Sequence, residues 1–250
     1  MIPQPMNTYL MQDRPVCDFI TWTGTLINYL KSKDVEFRED IPLIPEKMLV
    51  RPNSIPSSLT MLPSSKRSIA KEPSKCILCH FECDEILYRR VRSIVNAIRK
   101  GEAAVSIALA PYKKFFAVAG FDLTLTPGMD KCEQNMIFLL NRSLDTVFAT
   151  NGIKIVPNFR IGHEAHAESL AMFPKGLCYA MGRMGEDPHA SNLDELLTRF
   201  AILFARPGRI LVYGYRKMPE LPLFDEFGVP YDCFEDYRHA SYERSKKGGL

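Results

Sequence analysis

Between Phe115 and Tyr215 short apolar segments alternate with helical stretches, and that alternation restricts the chain to a small set of folds. The segments Phe116–Asp122, Ile153–Asn158, Leu177–Met181 and Arg209–Tyr213 read as strands. Helices are expected over 130–150, 164–172 and 192–206, the first capped by Asp130 and the last stopped by Pro207-Gly208. Strand, crossover helix, strand is the pattern of parallel pairing with right-handed connections. The expected class is α/β: a mostly parallel sheet with crossover helices, laid out as an open sheet or a reduced barrel. A full eight-stranded barrel needs more chain than this block supplies. In such folds function gathers beyond the carboxyl ends of the strands. The polar residues found there are Asp122, Asn158, Arg160, Arg183 and Tyr215.

Upstream, Cys17–Lys33 reads as a helix with Phe19, Ile20, Leu26, Ile27 and Leu30 on one stripe. From Ile41 to Pro73 six prolines punctuate an extended arm. Apolar residues lie between them (Leu43, Ile44, Leu49, Val50, Ile55, Leu59, Leu62), which a free linker would lack, so the arm is expected to lie against a protein surface. A helix follows over Asp84–Lys100, with Asp84 as N-cap and Gly101 as its stop, and Ala103–Leu109 reads as a strand. The division expected is a helix and arm over 1–75, an α/β domain over 76–240 and a short tail over 241–250.

A net charge of +3 does not by itself point to nucleic acid. Arg89, Arg90 and Arg92 cluster, but on a helix that pattern reads first as a solvated face. No apolar run approaches the roughly 20 residues of a membrane span, so no membrane partner is expected, and the N-terminus lacks a basic region followed by an apolar core. Seven cysteines without a secretory context suit reduced thiols and a cytoplasmic location.

Cys76, Cys79 and Cys83, with His80 between them, form a C-x2-C pair plus a third thiol. Thiolates at this spacing can wrap a tetrahedral zinc ion from a tight turn, with Cys17 or Cys132 as candidates for the missing ligand. Against this stands the reading of buried, reduced cysteines at a loop–helix junction. The match to a c-type haem attachment signature is set aside because no export signal accompanies it.

At the strand ends, Asp122 suits a base, a metal ligand or a partner for a sugar hydroxyl, or else caps the loop that follows. Asn158 and Arg160 share parity and so point the same way along an extended strand. Side by side they suit an anionic or carbonyl-bearing ligand. These three residues are the catalytic candidates, with Arg183, Tyr215 and Glu164 as further ligand contacts. Asn141 and Arg142 fall within the 130–150 helix and read as structural. His163 and His166 flank Glu164 but lack the H-E-x-x-H spacing, and read as surface histidines. No phosphate loop, dinucleotide fingerprint or nucleophile elbow is present.

Gly120-Phe-Asp122-Leu-Thr, Asn141-Arg142, the segment Asn151 to Arg160, Phe173-Pro-Lys-Gly176 and Arg209-Ile-Leu-Val-Tyr-Gly214 occur as an ordered set. Over about residues 115–215 this set resembles an uncharacterised family of phages, plasmids and bacteria, catalogued as domain of unknown function four-four-one-seven. The chain departs from that pattern at Ile161, where an aromatic residue usually follows the arginine. The resemblance implies an α/β domain of mobile-element (phage-type) origin, placed in the host cytoplasm, and no particular activity. Three functions therefore stand as expectations. The first is an enzyme, or a domain derived from one, acting on a phosphate-bearing ligand such as a nucleotide or a nucleic-acid end. The second is a non-enzymatic binder of a host defence protein acting through the arm. The third is a zinc-stabilised nucleic-acid-binding module using Arg89, Arg90 and Arg92.

Overall fold

Seven of the nine described strands run in one direction and follow one another in sequence order. The computed structural model describes residues 16–55, 58–61, 72–125, 129–162, 164–182, 192–214 and 220–235. Helix α1 (Val16–Lys31) leads into a two-stranded hairpin, β1 (Phe37–Arg38) and β2 (Ile41–Pro42). Strands β3 (Ser58–Met61) and β4 (Cys76–His80) come next, then helices α2 (Asp84–Lys100) and α3 (Glu102–Leu109). After them the alternation is regular: β5 (Ala117–Phe121), α4 (Lys131–Thr150), β6 (Ile155–Val156), α5 (Glu164–Leu170), β7 (Cys178–Gly182), α6 (Asn192–Ala205), β8 (Arg209–Gly214), α7 (Leu221–Glu226) and β9 (Tyr231–Glu235).

Two parallel sheets result, β3-β4-β5-β6 and β7-β8-β9. They are joined edge to edge. Asn158 pairs with Ala180, through Phe159 N–H to the Ala180 carbonyl at 2.8 Å and Ala180 N–H to the Pro157 carbonyl at 2.9 Å. At the other end of the seam Val50 is inserted: its N–H donates to the Ile155 carbonyl and its carbonyl accepts from Cys178 N–H, each at 3.1 Å. This split explains why β6 has a regular ladder of only two residues.

Alternate residues build two cores, as the period of a strand requires. On one face Leu78, Val118, Ile155, Tyr179, Met181, Ile210 and Val212 pack with the apolar stripes of α1, α2 and α4. On the other, Leu59, Ile77, Cys79, Phe81, Ala117, Ala119, Val156, Cys178, Ala180, Leu211 and Tyr213 pack against one another with no helix between them. The sheet is therefore curled. Phe81 after β4 stacks on Tyr213 of β8, with centroids 5.9 Å apart, although three strands separate them in the sheet. Gly182 of β7 lies directly against the Phe81 ring, where any Cβ would collide. Small residues on β5 to β7 leave the room these two rings fill, as in a packed barrel interior. The expected α/β class with parallel strands and crossover helices is what the chain adopts, in its barrel-like form.

The arm is built into this architecture wherever it is described. Leu49, Val50 and Leu59 are buried, and β3 pairs with β4 across the expected boundary near residue 75. Phe19, Leu26 and Leu30 of α1 belong to the same core as α2 and α4. Two expectations are corrected. Ala103–Leu109 forms α3 rather than a strand: its alanines and leucine favour helix, and Val105 and Leu109, four apart, supply the buried stripe. Cys76–His80 forms strand β4 rather than a loop–helix junction.

Candidate functional site

Asp122, Asn158 and Arg160 meet at the carboxyl edge of β5 and β6. Together with Phe121, Asn141, Arg142, Asp145 and Phe173 they line a cavity of about 40 Å³ beneath the β5–α4–β6 crossover. Asn158 Nδ2 donates to Asp122 Oδ1 at 2.6 Å, and Asn158 Oδ1 accepts from the Arg160 N–H at 3.0 Å. This second bond is a local side-chain turn of the kind asparagine favours, and it sets the direction of Arg160. The Arg160 guanidinium donates to the Gly182 carbonyl, tying the end of β6 to the end of β7.

The loop that carries Asp122 is held from two sides. Asn141 grips the Leu123 backbone, accepting from its N–H and donating to its carbonyl, both at 3.3 Å. Asp84 Oδ1 accepts from Thr124 N–H at 3.1 Å and from the Thr124 hydroxyl at 2.9 Å. The N-cap position of α2 falls on Cys83, and Asp84, expected as the cap, is used as this loop anchor. Asp130 does cap α4, accepting from Cys132 N–H at 2.8 Å and from Glu133 N–H at 3.4 Å.

Two residues that sequence alone assigns to structure, or passes over, sit in the same wall. Asp145, one turn along α4 from Arg142, accepts the Phe121 N–H at 2.9 Å and is buried. Gly120 makes that approach possible, because a Cβ there would lie 2.7 Å from Asp145 Oδ2 and 3.0 Å from the Asn158 nitrogen. Burial pushes the Asp145 carboxyl up to about 7. The Phe121 N–H and Arg142 pull the other way, and the Asp122 charge adds to the rise. Arg142 is 5% exposed, and burial lowers its guanidinium to about 10, so it stays charged at neutral pH. It stacks over Phe173 at 4.0 Å, and among the described residues its Nη1 has no hydrogen-bond partner. The signal for both was spacing: positions three apart on a crossover helix share a face. That face points at strand ends only once the crossover is in place.

The remaining candidates are distributed as follows. Arg183 and Tyr215 lie outside the described residues, and so does the side chain of Glu164, the first residue of α5. His166 is buried, stacks on Phe138 with centroids 4.6 Å apart and has Nε2 2.9 Å from Asn135 Oδ1, so it is no surface histidine. The cysteines do not come together through the strand. Cys79 faces the barrel interior; Cys76, three residues earlier, faces the other way and contacts the Ser58 hydroxyl at 2.8 Å; Cys83 is exposed. Among the described residues no three His, Cys, Asp or Glu side chains are grouped as a metal would require. His80 lies in the core, stacked on Phe121 at 4.0 Å, and burial lowers it to about 3. Of the basic triplet, Arg90 pairs with Glu82, Arg92 with Asp18 at 3.4 Å, and Arg89 donates to the Glu85 carbonyl at 3.2 Å. No described helix is long and apolar enough to cross a membrane.

No protein-family model, curated protein or solved structure matches the chain. The chemistry of the cavity therefore has to be read from its own residues. It offers two guanidiniums, two carboxamides and two carboxylates, one of which changes charge near neutrality.

Proposed function

We propose that the cavity at the ends of β5 and β6 binds the phosphate-bearing part of a nucleotide or of a nucleic-acid end, in an enzyme or a domain derived from one, of mobile-element origin. The observation that carries this reading is the convergence of Asp122, Asn158 and Arg160 on one small cavity, on a loop fixed by Asn141 and Asp84. Guanidinium groups recognise phosphate through charge-assisted, geometrically matched hydrogen bonds. A carboxyl poised near 7, as Asp145 is, suits proton transfer beside a bound group. Placement at the carboxyl edge of parallel strands agrees with where such folds carry their sites.

The test is Arg160→Ala. Its hydrogen bond to the Gly182 carbonyl makes a loss of about 1 kcal/mol in stability the expected cost. Binding of inorganic phosphate and of nucleoside monophosphates, followed by calorimetry, is expected to fall below detection. Unchanged phosphate binding in both Arg160→Ala and Asp122→Ala would remove this cavity as the site. The host-binding alternative gains nothing from the arm as described, because Leu49, Val50 and Leu59 are buried within the chain's own core.

A further inference from the structure

Among the described residues, Arg142 is a buried cation whose hydrogen bonding the fold leaves incomplete. A buried cation is costly unless paired and hydrogen-bonded. Arg142 lies mid-way along α4, 5% exposed, and its Nη1 finds no hydrogen-bond partner among the described residues. The Tyr179 hydroxyl, buried on β7 and within electrostatic reach of Arg142, is likewise without one there. What fixes the guanidinium is aromatic: Phe173 at 4.0 Å, with the Phe138 centroid at 5.8 Å. A guanidinium stacked on a ring keeps its in-plane N–H groups free for an anion. Here the plane lines the cavity that Arg160 lines from β6.

Resting on the phosphate-binding reading above, we propose that Arg142 and Arg160 together form a two-cation clamp, and that the group it takes is a terminal phosphomonoester rather than an internal phosphodiester. The count of acceptor oxygens favours the monoester. Asp122 lines the same cavity and is held by Asn158, and Asp145, raised by burial, is partly neutral near pH 7. A phosphomonoester brings three acceptor oxygens, which suits two forked cations. A diester brings one charge and two free oxygens, and would leave one guanidinium unmatched. Size points the same way. At about 40 Å³ the cavity has room for a few water-sized groups, since one water needs roughly 10–15 Å³. A single tetrahedral head fits that space, whereas a diester must lead a substituent out on both sides. Beside Asn141 and Asn158, whose amides are engaged with Leu123, Asp122 and Arg160, the remaining walls, Phe121, Leu125 and Leu170 among them, are apolar and give a second substituent little to bind.

The experiment compares ligands that differ only in that group: AMP against 3′,5′-cyclic AMP, and a 5′-phosphorylated oligothymidylate against the same strand with a 5′-hydroxyl. Titration calorimetry is run at pH 7 and low salt. A preference of at least about tenfold for the monoester in either pair is expected, equivalent to about 1.4 kcal/mol, and the pair that shows it tells a free nucleotide from a strand end. Arg142→Lys keeps the charge but loses the fork, and is expected to bring the ratio close to one. Should that variant fail to fold, Phe173→Leu, which removes the stack and leaves Arg142 in place, is expected to lower the same ratio. Equal binding within both pairs overturns the monoester assignment and leaves the phosphate-binding reading standing. A full preference retained in folded Arg142→Lys, or failing that in Phe173→Leu, overturns the role of Arg142. No binding of AMP, either oligonucleotide or inorganic phosphate overturns both the inference and the reading it rests on.

Discussion

The end of β4 and the ends of β5 and β6 lie on one edge of one sheet, yet they put their polar residues to opposite uses. Around β4 the chemistry-bearing residues are neighbours in sequence: Cys76, Cys79, His80, Glu82 and Cys83. The strand disperses them. Cys76 and Cys79 face opposite ways, His80 is stacked in the core and Glu82 is bound to Arg90. At β5 and β6 the participants come from distant positions, with Asp122 and Asn158 hydrogen-bonded across 36 residues. Proximity in a sequence is thus undone by a strand's alternation, while parallel strands bring the same end of separate segments to the same edge.

The contrast is sharpest in its expected response to pH. His80 has a folded value near 3 against 6.5 for the free side chain, so the unfolded chain binds the extra proton between those values and stability rises with pH there. Asp145 has a folded value near 7 against 3.8, so the native state holds the extra proton and stability falls as pH rises across that range. The two slopes oppose each other between about pH 4 and 6.5. Asp145→Asn keeps an acceptor for the Phe121 N–H and removes the second slope. Its stability relative to the natural protein is expected to grow steadily as pH rises from 4 to 7. Urea titrations across that range showing a constant difference would mean that Asp145 ionises as an ordinary carboxyl, and that the two regions are alike.

Next in size is Gly120→Ala. The added Cβ would meet Asp145 Oδ2 at 2.7 Å and the Asn158 nitrogen at 3.0 Å, so overpacking of about 1–3 kcal/mol is expected, together with weakened phosphate binding. A variant as stable as the parent, binding equally well, would show that the cavity does not depend on this close approach. Last comes the pair of cysteine changes at β4, which ends on the smallest effect. Cys79→Ser puts a hydroxyl into the barrel interior at an expected cost of about 1–3 kcal/mol, whereas Cys83→Ser at the exposed helix start is expected to stay within about 0.5 kcal/mol. Elemental analysis belongs with them. Half an equivalent or more of zinc, lost in either variant, would break the comparison by making β4 the centre of chemistry after all.

How far the sequence speaks follows from the same geometry. Strands β5 to β8 and helices α1, α2, α4 and α6 are legible because each has an apolar pattern and a clear start or stop, such as Asp130 and Gly101, whereas β9, in a stretch that reads as loop, is not. Strand β4 is not, because Cys76 and Cys79 look like ligands before they look like core, and its continuous burial leaves no alternation to read. Asn158 and Arg160 are found through parity and Asp122 through its place at a strand end. Arg142 and Asp145 escape because a charged residue inside a crossover helix carries no local mark of which face it presents. Asn141 is correctly read as structural, since both of its hydrogen bonds go to the backbone of Leu123.

The insertion of Val50 between Ile155 and Cys178 bears on how the chain is made. Each strand pairs with the next along the polypeptide, so most of the sheet can zip up as it is synthesised. The Leu49–Val50 segment is the exception, because its partners lie more than 100 positions downstream. At translation rates of about 5–20 residues per second, Leu49 and Val50 wait on the order of 5–20 s before β6 exists to receive them. Over that interval the nascent chain exposes the apolar segment that later sews its two sheets together, and the ribosome-bound chain is where a chaperone would find it.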